Sequence, residues 1–118
     1  MEILNIIRGD TYVLEFPIND EDKNPIKIDD IKTLLLTARE LPNKKSPVLF
    51  SKTKEDFSIV DDMYNVTIEP TDTEQLDIVT FYFDIEATLF DGTRGTIIRR
   101  VDLTKDYTIH KEDVWKLV

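Results

Sequence analysis

The segment "VTFYFDIEATL" constrains the fold of this chain more than any other stretch. Over these eleven residues, apolar side chains alternate with Thr, Tyr, Asp and Glu. A period of two places one set of side chains on each face of a strand, whereas a helix would scatter the same residues around its axis. The inward set is Val79, Phe81, Phe83, Ile85, Ala87 and Leu89. The segment therefore predicts a long, half-buried β-strand.

Other segments are predicted as strands on the same basis. Their inward residues are Tyr12, Leu14, Phe16 and Ile18 in one, Tyr64, Val66 and Ile68 in another, and Ile97, Val101 and Leu103 in a third. The segments "SPVLFSKT", "KEDFSIV" and "IKI" are predicted as short strands. "IKTLLLTARE" contains three consecutive leucines, which predicts a central strand covered on both faces, with a short helix as the alternative.

Turn residues separate these strands. Asp91-Gly92 stands between two alternating segments and predicts a hairpin. "TDTEQL" predicts a single helical turn, which Asp72 would cap with Gln75 three residues later. The tripeptide Arg8-Gly9-Asp10 occurs in animal adhesion ligands, but here it falls between two strands. Glycine tolerates positive φ and Asp favours turns, so we interpret the tripeptide as a bend.

Roughly eight short strands with turns every 8 to 12 residues are typical of a β-sandwich. A chain of 118 residues is long enough for one such domain and too short for two. The prediction is therefore a single domain over residues 1–118. Its fold class is all-β: an antiparallel, immunoglobulin-like β-sandwich with one short helical turn. The sequence pattern leaves the order of the strands open.

Charge and composition narrow the classes of partner. The formal net charge of −9 repels phosphate backbones and anionic lipids, so we expect neither nucleic acid nor a membrane surface as partner. The chain has no cysteine, which excludes disulfides and thiolate metal sites. No signal peptide is visible at the N-terminus, and no apolar stretch has the length of a membrane span.

The sequence contains no recognisable set of catalytic side chains. His110 is the only histidine, and no serine stands in a G-x-S-x-G motif. Read as a calcium-binding loop from Asp20, the segment "DEDKNPIKIDDI" has Pro25 where the motif needs glycine and Ile31 where it needs glutamate. A weak ion site involving Asp20 and Asp22 is the alternative to a solvated hairpin tip. We expect no enzymatic activity, no cofactor, no catalytic residues and no metal site.

An ordered set of motifs extends over most of the chain. It consists of "IIRGDTYVLEFPINDEDKNPIKIDDIK", "YNVTIEPTDTEQL", "TFYFDIEATLFDGTRGT" and "VDLTKDYTI". This set resembles the N-terminal domain of phage baseplate upper proteins and related small immunoglobulin-like modules of phages that infect Gram-positive bacteria. Baseplate upper proteins normally continue into a helical linker and a further domain, and this sequence stops at Val118.

The resemblance implies a non-enzymatic structural role in a virion that is assembled in the host cytoplasm. The expected partners are other virion subunits, in the baseplate or tail, and the chain is expected to be oligomeric in the particle. A capsid-surface decoration protein is one alternative. A host-surface carbohydrate-binding or adhesive domain is another, in which Tyr82 or Trp115 would stack on sugars.

Two groups of residues are candidates for a protein interface. Arg99 and Arg100, beside Arg94, form the only basic concentration of the sequence. Either they pair with acids such as Asp84 and Glu86 on the neighbouring strand, or they contact an acidic partner.

The second group is Trp115, Leu117 and Val118 in the segment "EDVWKLV". Such apolar content is unusual for a free tail. The segment either folds back as an extra edge strand or packs on a neighbouring subunit, where tryptophan is a typical anchor.

Overall fold

A computed structural model describes residues 3–104, in which eight strands form two sheets around one core. The strands are β1 (Ile3–Ile7), β2 (Tyr12–Phe16), β3 (Ile31–Arg39), β4 (Val48–Lys52), β5 (Phe57–Val60), β6 (Met63–Ile68), β7 (Thr80–Leu89) and β8 (Arg94–Thr104). The helical segments are a single α-helical turn, α1 (Pro70–Thr73), and two 3₁₀ turns, Ile28–Asp30 and Lys54–Asp56. The all-β sandwich with a short helical turn is confirmed.

The larger sheet has the order β1-β8-β7-β3-β4 and the smaller one the order β2-β6-β5. Every strand pair is antiparallel except β1–β8, which is parallel. β1 and β8 are the first and last strands described, so no hairpin dictates their relative direction. β1 and β2 belong to different sheets, and the bend at Arg8-Gly9-Asp10 carries the chain from one layer to the other.

The predicted alternation is confirmed in the centre of the sandwich. Phe81, Phe83 and Ile85 of β7 are buried, as are Tyr64 and Val66 of the smaller sheet. Ile68, Val101, Leu103 and Leu14 join them in the same core cluster. Val79 is an exception, with 72% of its surface exposed, because it lies before the first residue of β7.

The predicted cover on both faces of β3 is wrong. Leu34 and Leu36 are buried, but Leu35 between them is 41% exposed. β3 is central in its sheet, with β4 on one side and β7 on the other. The sandwich has only two layers in residues 3–104, so the second face of β3 points away from the core. Three consecutive leucines therefore mark a central strand with one exposed apolar position.

Two local predictions are also corrected. The helical turn begins at Pro70, and Glu69 rather than Asp72 occupies the capping position; Asp72 instead accepts a hydrogen bond of 2.7 Å from the Glu69 amide. Proline fixes a helical φ at the first position of the turn, which sets this earlier start. "IKI" is not a strand, because after one bridge between Asn19 and Pro25 the chain enters a 3₁₀ turn.

The predicted hairpin at Asp91-Gly92 is confirmed. It connects β7 to β8, and the Leu89 amide donates to the Thr93 carbonyl across the loop at 2.8 Å. Gly92 has a φ of +93°, a conformation that residues with a Cβ rarely adopt. The glycine therefore permits the turn that aligns the two longest strands.

Tyr64 predicts how stability depends on alkaline pH. Burial, and then the charge of Asp30, raise the pKa of its phenol, whose hydroxyl donates to the Ile26 carbonyl at 2.5 Å. A raised pKa favours the neutral phenol in the folded state. Its contribution to stability is therefore complete below the unfolded pKa of about 10 and is lost as pH rises through the folded pKa.

We expect Tyr64→Phe to lower the free energy of unfolding by about 1–2 kcal/mol at neutral pH, because the Ile26 carbonyl loses its donor. Above about pH 10 the melting temperature of Tyr64→Phe should fall less steeply than that of the unmodified chain. Thermal unfolding from pH 7 to 11 measures this difference in melting temperature. Tyr82→Phe is the control, because Tyr82 lies on the face of the larger sheet that points away from the core. Parallel curves for Tyr64→Phe and the unmodified chain would contradict the assignment.

Candidate protein interface

The candidate interface is the outer face, defined as the face of the larger sheet that points away from the smaller sheet. Alternation places Ile3, Ile7, Leu35 and Ile98 on this face, with 38–47% of each residue exposed. These four residues come from β1, β3 and β8, and Tyr82 of β7 lies between them. The outer face is thus an extended surface of apolar and polar side chains.

Ion pairs cross the outer face. Arg39 of β3 lies 3.6 Å from the Asp84 carboxylate, and Arg94 of β8 lies 3.6 Å from the Glu86 carboxylate. Both acids belong to β7, so each pair links neighbouring strands. The Arg94–Glu86 pair, in which the arginine side chain is 63% exposed, contributes about 1 kcal/mol or less.

Arg100 is paired, but not with the acid that the sequence suggested. Its Nε lies 3.0 Å from Oδ1 of Asp102, which is two positions along the same strand and on the same face. Thr80 donates to the same carboxylate oxygen from β7 at 3.2 Å. The predicted cross-strand pairing of the basic residues is confirmed for Arg94 with Glu86 and is wrong for Arg100, because Arg39 and Arg94 pair with Asp84 and Glu86.

Arg99 and Arg100 do not form one basic patch. Arg99 is opposite Phe83 in the β7–β8 ladder, and Arg100 is opposite Tyr82. Successive residues of a strand point to opposite faces, so Arg99 is on the core side while Arg100 is on the outer face. One nitrogen of the Arg99 guanidinium donates to the Ile98 carbonyl at 2.9 Å. The two arginines can therefore not contact the same partner surface.

A shallow concavity on the outer face was missed by sequence reasoning. It has a volume of about 260 Å³, and Tyr82, Asp84 and Glu86 of β7 line it together with Arg39 and Asn43. The loop after β3 forms one wall, and its contribution carries no periodic signal in the sequence. Only the side-chain alternation of β7 could have grouped Tyr82, Asp84 and Glu86.

A second depression, the β8 groove, lies where the two sheets separate. Its volume is about 310 Å³. Tyr12 and Leu14 of β2 line one wall, and Phe83, Ile97 and Arg99 of the larger sheet line the other. Glu15 of β2 also lines it, so the groove presents a carboxylate and a guanidinium beside its apolar side chains.

The bend at Arg8-Gly9-Asp10 is confirmed. Gly9 has a φ of +83°, and its amide donates to the Thr73 hydroxyl of α1 at 2.9 Å. The Arg8 guanidinium donates to the Ile78 carbonyl at 2.7 Å. These bonds attach the tripeptide to α1 and to the segment between α1 and β7. The arginine therefore has a structural role.

The remaining predicted residues are placed as follows. Trp115, Leu117, Val118 and His110 lie outside the described residues. Asp20 accepts hydrogen bonds from the Asp22 and Asn24 amides, both at 2.9 Å, so its carboxylate organises its own loop. Within residues 3–104, no three His, Cys, Asp or Glu side chains come close enough to hold a metal ion. No helix in the same range is long and apolar enough to cross a membrane.

No protein-family model and no curated protein matches the sequence. Among solved structures, MtrC from Shewanella baltica OS185 is similar to 87% of this chain, with 19% sequence identity and a TM-score of 0.48. The match covers 22% of MtrC, so this chain spans about a fifth of that protein. A similarity this weak carries no argument about function.

Proposed function

We propose that this chain is a non-enzymatic structural module of a bacteriophage virion, which assembles in the host cytoplasm and acts in the baseplate or tail. It binds other virion subunits and is oligomeric in the particle. The proposal starts from the ordered motifs that resemble baseplate upper proteins and their immunoglobulin-like relatives. A capsid-surface position is the alternative within the same particle.

The observation that carries the proposal is the outer face. Four apolar side chains that are 38–47% exposed are spread over three strands of one sheet. Contact with a second rigid surface buries such residues and gains free energy in proportion to the apolar area removed from water. The ion pairs between Arg39 and Asp84 and between Arg94 and Glu86 lie among them, on β3, β7 and β8. Protein interfaces combine apolar and polar groups.

Leu35→Lys tests the outer face as the contact surface. The new ammonium lies opposite Glu86 in the ladder, so the fold should tolerate it, with a change in unfolding free energy of about 0.5 kcal/mol or less. A charge in the centre of a buried contact is costly. We therefore expect incorporation into particles to fall at least tenfold. Mass spectrometry of purified particles, before and after heads are separated from tails, measures incorporation and position.

Val13→Lys is the matched control. Val13 is 49% exposed and lies on the smaller sheet, pointing away from the core. It should leave incorporation unchanged. Loss of incorporation with both variants would point to a general defect, and normal incorporation of Leu35→Lys would remove the outer face as the contact surface. Complete absence of the chain from purified particles would overturn the virion role itself.

A carbohydrate-binding or adhesive domain is the second candidate, and the concavity around Tyr82 favours it. An aromatic ring beside the Asp84 and Glu86 carboxylates and the Asn43 amide supplies a stacking surface with hydrogen-bonding groups around it. Under this hypothesis, binding on a glycan array should be detectable and should disappear in Tyr82→Ala. Absence of binding by the unmodified chain would eliminate the candidate.

A further inference from the structure

The charges of the outer face balance, although the chain as a whole is acidic. Six charged residues of the strand ladders point to this face: Arg39, Arg94, Arg100, Asp84, Glu86 and Asp102. They are three of the 15 basic and three of the 24 acidic residues, so the net charge of −9 belongs to the rest of the sequence. Lys44, on the loop that borders the face, adds a positive charge. The outer face therefore carries no net negative charge.

These charges also have partners within the molecule. Arg39 and Arg94 pair with acids of β7, and Arg100 pairs with Asp102 at 3.0 Å. Burying a charge that has lost its counter-charge is costly, whereas these six would enter a contact as three pairs. A partner surface therefore does not need to supply charges of one sign. It needs apolar side chains that cover the four exposed apolar residues of the face.

We propose that the outer face binds the outer face of a second copy of this chain, forming a twofold symmetric dimer. This inference rests on the outer face as the contact surface of the proposed function and names its partner. A twofold contact brings the same patch of each copy together, so the apolar residues of one copy cover those of the other. Two copies with a net charge of −9 repel each other, and a contact through faces without net negative charge keeps the acidic regions apart.

The outer face has the area that such a dimer needs. β3, β7 and β8 have 9 to 11 residues, and β1 and β4 have five each. At about 3.3 Å per residue and about 4.8 Å between strands, the face covers about 600 Å². Two copies would bury about 1,200 Å² in total, at the lower end of the range for specific protein contacts. A contact of this size predicts a dimer in reversible equilibrium with the monomer.

Sedimentation equilibrium of the full chain measures the dimer directly. We expect a reversible monomer–dimer equilibrium in the unmodified chain. Leu35→Lys should raise the dissociation constant at least tenfold, because the substitution puts an ammonium into each half of the contact. Val13 is 49% exposed on the smaller sheet, so Val13→Lys should leave the dissociation constant unchanged. A chain that stays monomeric at millimolar concentration would overturn the proposal, as would equal effects of the two substitutions.

Ionic strength separates a second copy from a basic partner. Salt screens the repulsion between two acidic copies, so we expect the dissociation constant of the dimer to fall at least threefold between about 0.02 and about 0.3 M NaCl. Attraction between the acidic chain and a basic partner would weaken over the same range. A dimer that weakens as salt is added would contradict the charge argument and overturn the face-to-face arrangement.

A single cysteine identifies the face that the dimer buries. The chain contains no cysteine, so Ile98→Cys places one thiol on the outer face and Val13→Cys places one on the smaller sheet. As protein concentration rises through the dimer midpoint, alkylation of the Ile98→Cys thiol by a maleimide should slow at least fivefold. Alkylation of the Val13→Cys thiol should not change. The reverse pattern would assign the dimer to the smaller sheet, and slow alkylation of Ile98→Cys in a monomer would assign the cover to the same chain. Either result overturns the proposal.

Particle analysis separates this inference from the virion role. A chain that dimerises through the outer face in solution but is absent from purified particles would support the dimer and overturn the proposed function. A monomeric chain whose incorporation falls with Leu35→Lys would do the opposite. The outer face would then remain the contact surface in the virion, with a partner other than a second copy.

Discussion

Phe81→Ala is expected to lower the free energy of unfolding by about 3–5 kcal/mol. Phe81 is fully buried near the start of β7, and its ring packs edge-on against Phe50 of β4 with 5.7 Å between centroids. Truncation removes the transfer free energy of the ring and leaves a cavity that the two sheets cannot close. A domain of this size has only about 5–15 kcal/mol of stability, so the loss is a large fraction of the total. Urea unfolding followed by circular dichroism measures it.

Thr80→Ala is the control for the register of β7. Thr80 points to the outer face, where its hydroxyl donates to the Asp102 carboxylate at 3.2 Å. Its loss should cost under about 1 kcal/mol, because both groups remain accessible to water. Equal losses for Phe81→Ala and Thr80→Ala would contradict the assignment of the inner and outer faces of β7.

Asp72→Ala is the second substitution for which we expect a large loss, about 3 kcal/mol. The Lys52 ammonium lies 2.6 Å from the Asp72 carboxylate, and the two side chains are only 14% and 15% exposed. The pair joins β4 at one edge of the larger sheet to α1. Removing the carboxylate leaves a nearly buried ammonium without its counter-charge. It also removes the acceptor of the Glu69 amide at the start of α1.

Two further variants show how much of this loss comes from the unpaired, nearly buried ammonium. Lys52→Met added to Asp72→Ala should recover part of the lost stability, because no buried charge then remains unpaired. Arg94→Ala breaks the more exposed pair with Glu86, in which the arginine side chain is 63% exposed, and should cost under about 1 kcal/mol. Similar losses for Asp72→Ala and Arg94→Ala, measured by urea unfolding, would show that the buried pair is no stronger than a surface pair.

The Lys52–Asp72 pair also illustrates what sequence reasoning missed. The sequence placed Asp72 at the helical turn, but as its capping residue, a position that Glu69 occupies. Lys52 lies in the predicted strand "SPVLFSKT", where an exposed lysine is the ordinary expectation. The two residues are twenty positions apart, and no local pattern relates an edge strand to a later helical turn. Their contact depends on how β4 packs beside α1.

For Arg99 and Arg100, too, the local pattern predicted one property and the tertiary structure set another. Alternation along β8 already implied that Arg99 and Arg100 face opposite ways, since neighbouring residues of a strand do so. Which acid pairs with each arginine depended on the register between β7 and β8 and on the position of β3. Arg39 holds Asp84, and Asp102 of the same strand holds Arg100. These partners are set by strand neighbours, which alternation does not encode.

Local sequence patterns predicted most of the strands, the inward faces of β2, β6 and β7, and the turns at Gly9 and Gly92, because alternation and turn conformation are local properties of the chain. The order of the strands and the parallel pairing of β1 with β8 were set by tertiary packing. The same packing also decided the exposure of Leu35. Each of these depends on which distant segment lies alongside, and the free energy of that choice comes from packing between segments that are not neighbours in sequence.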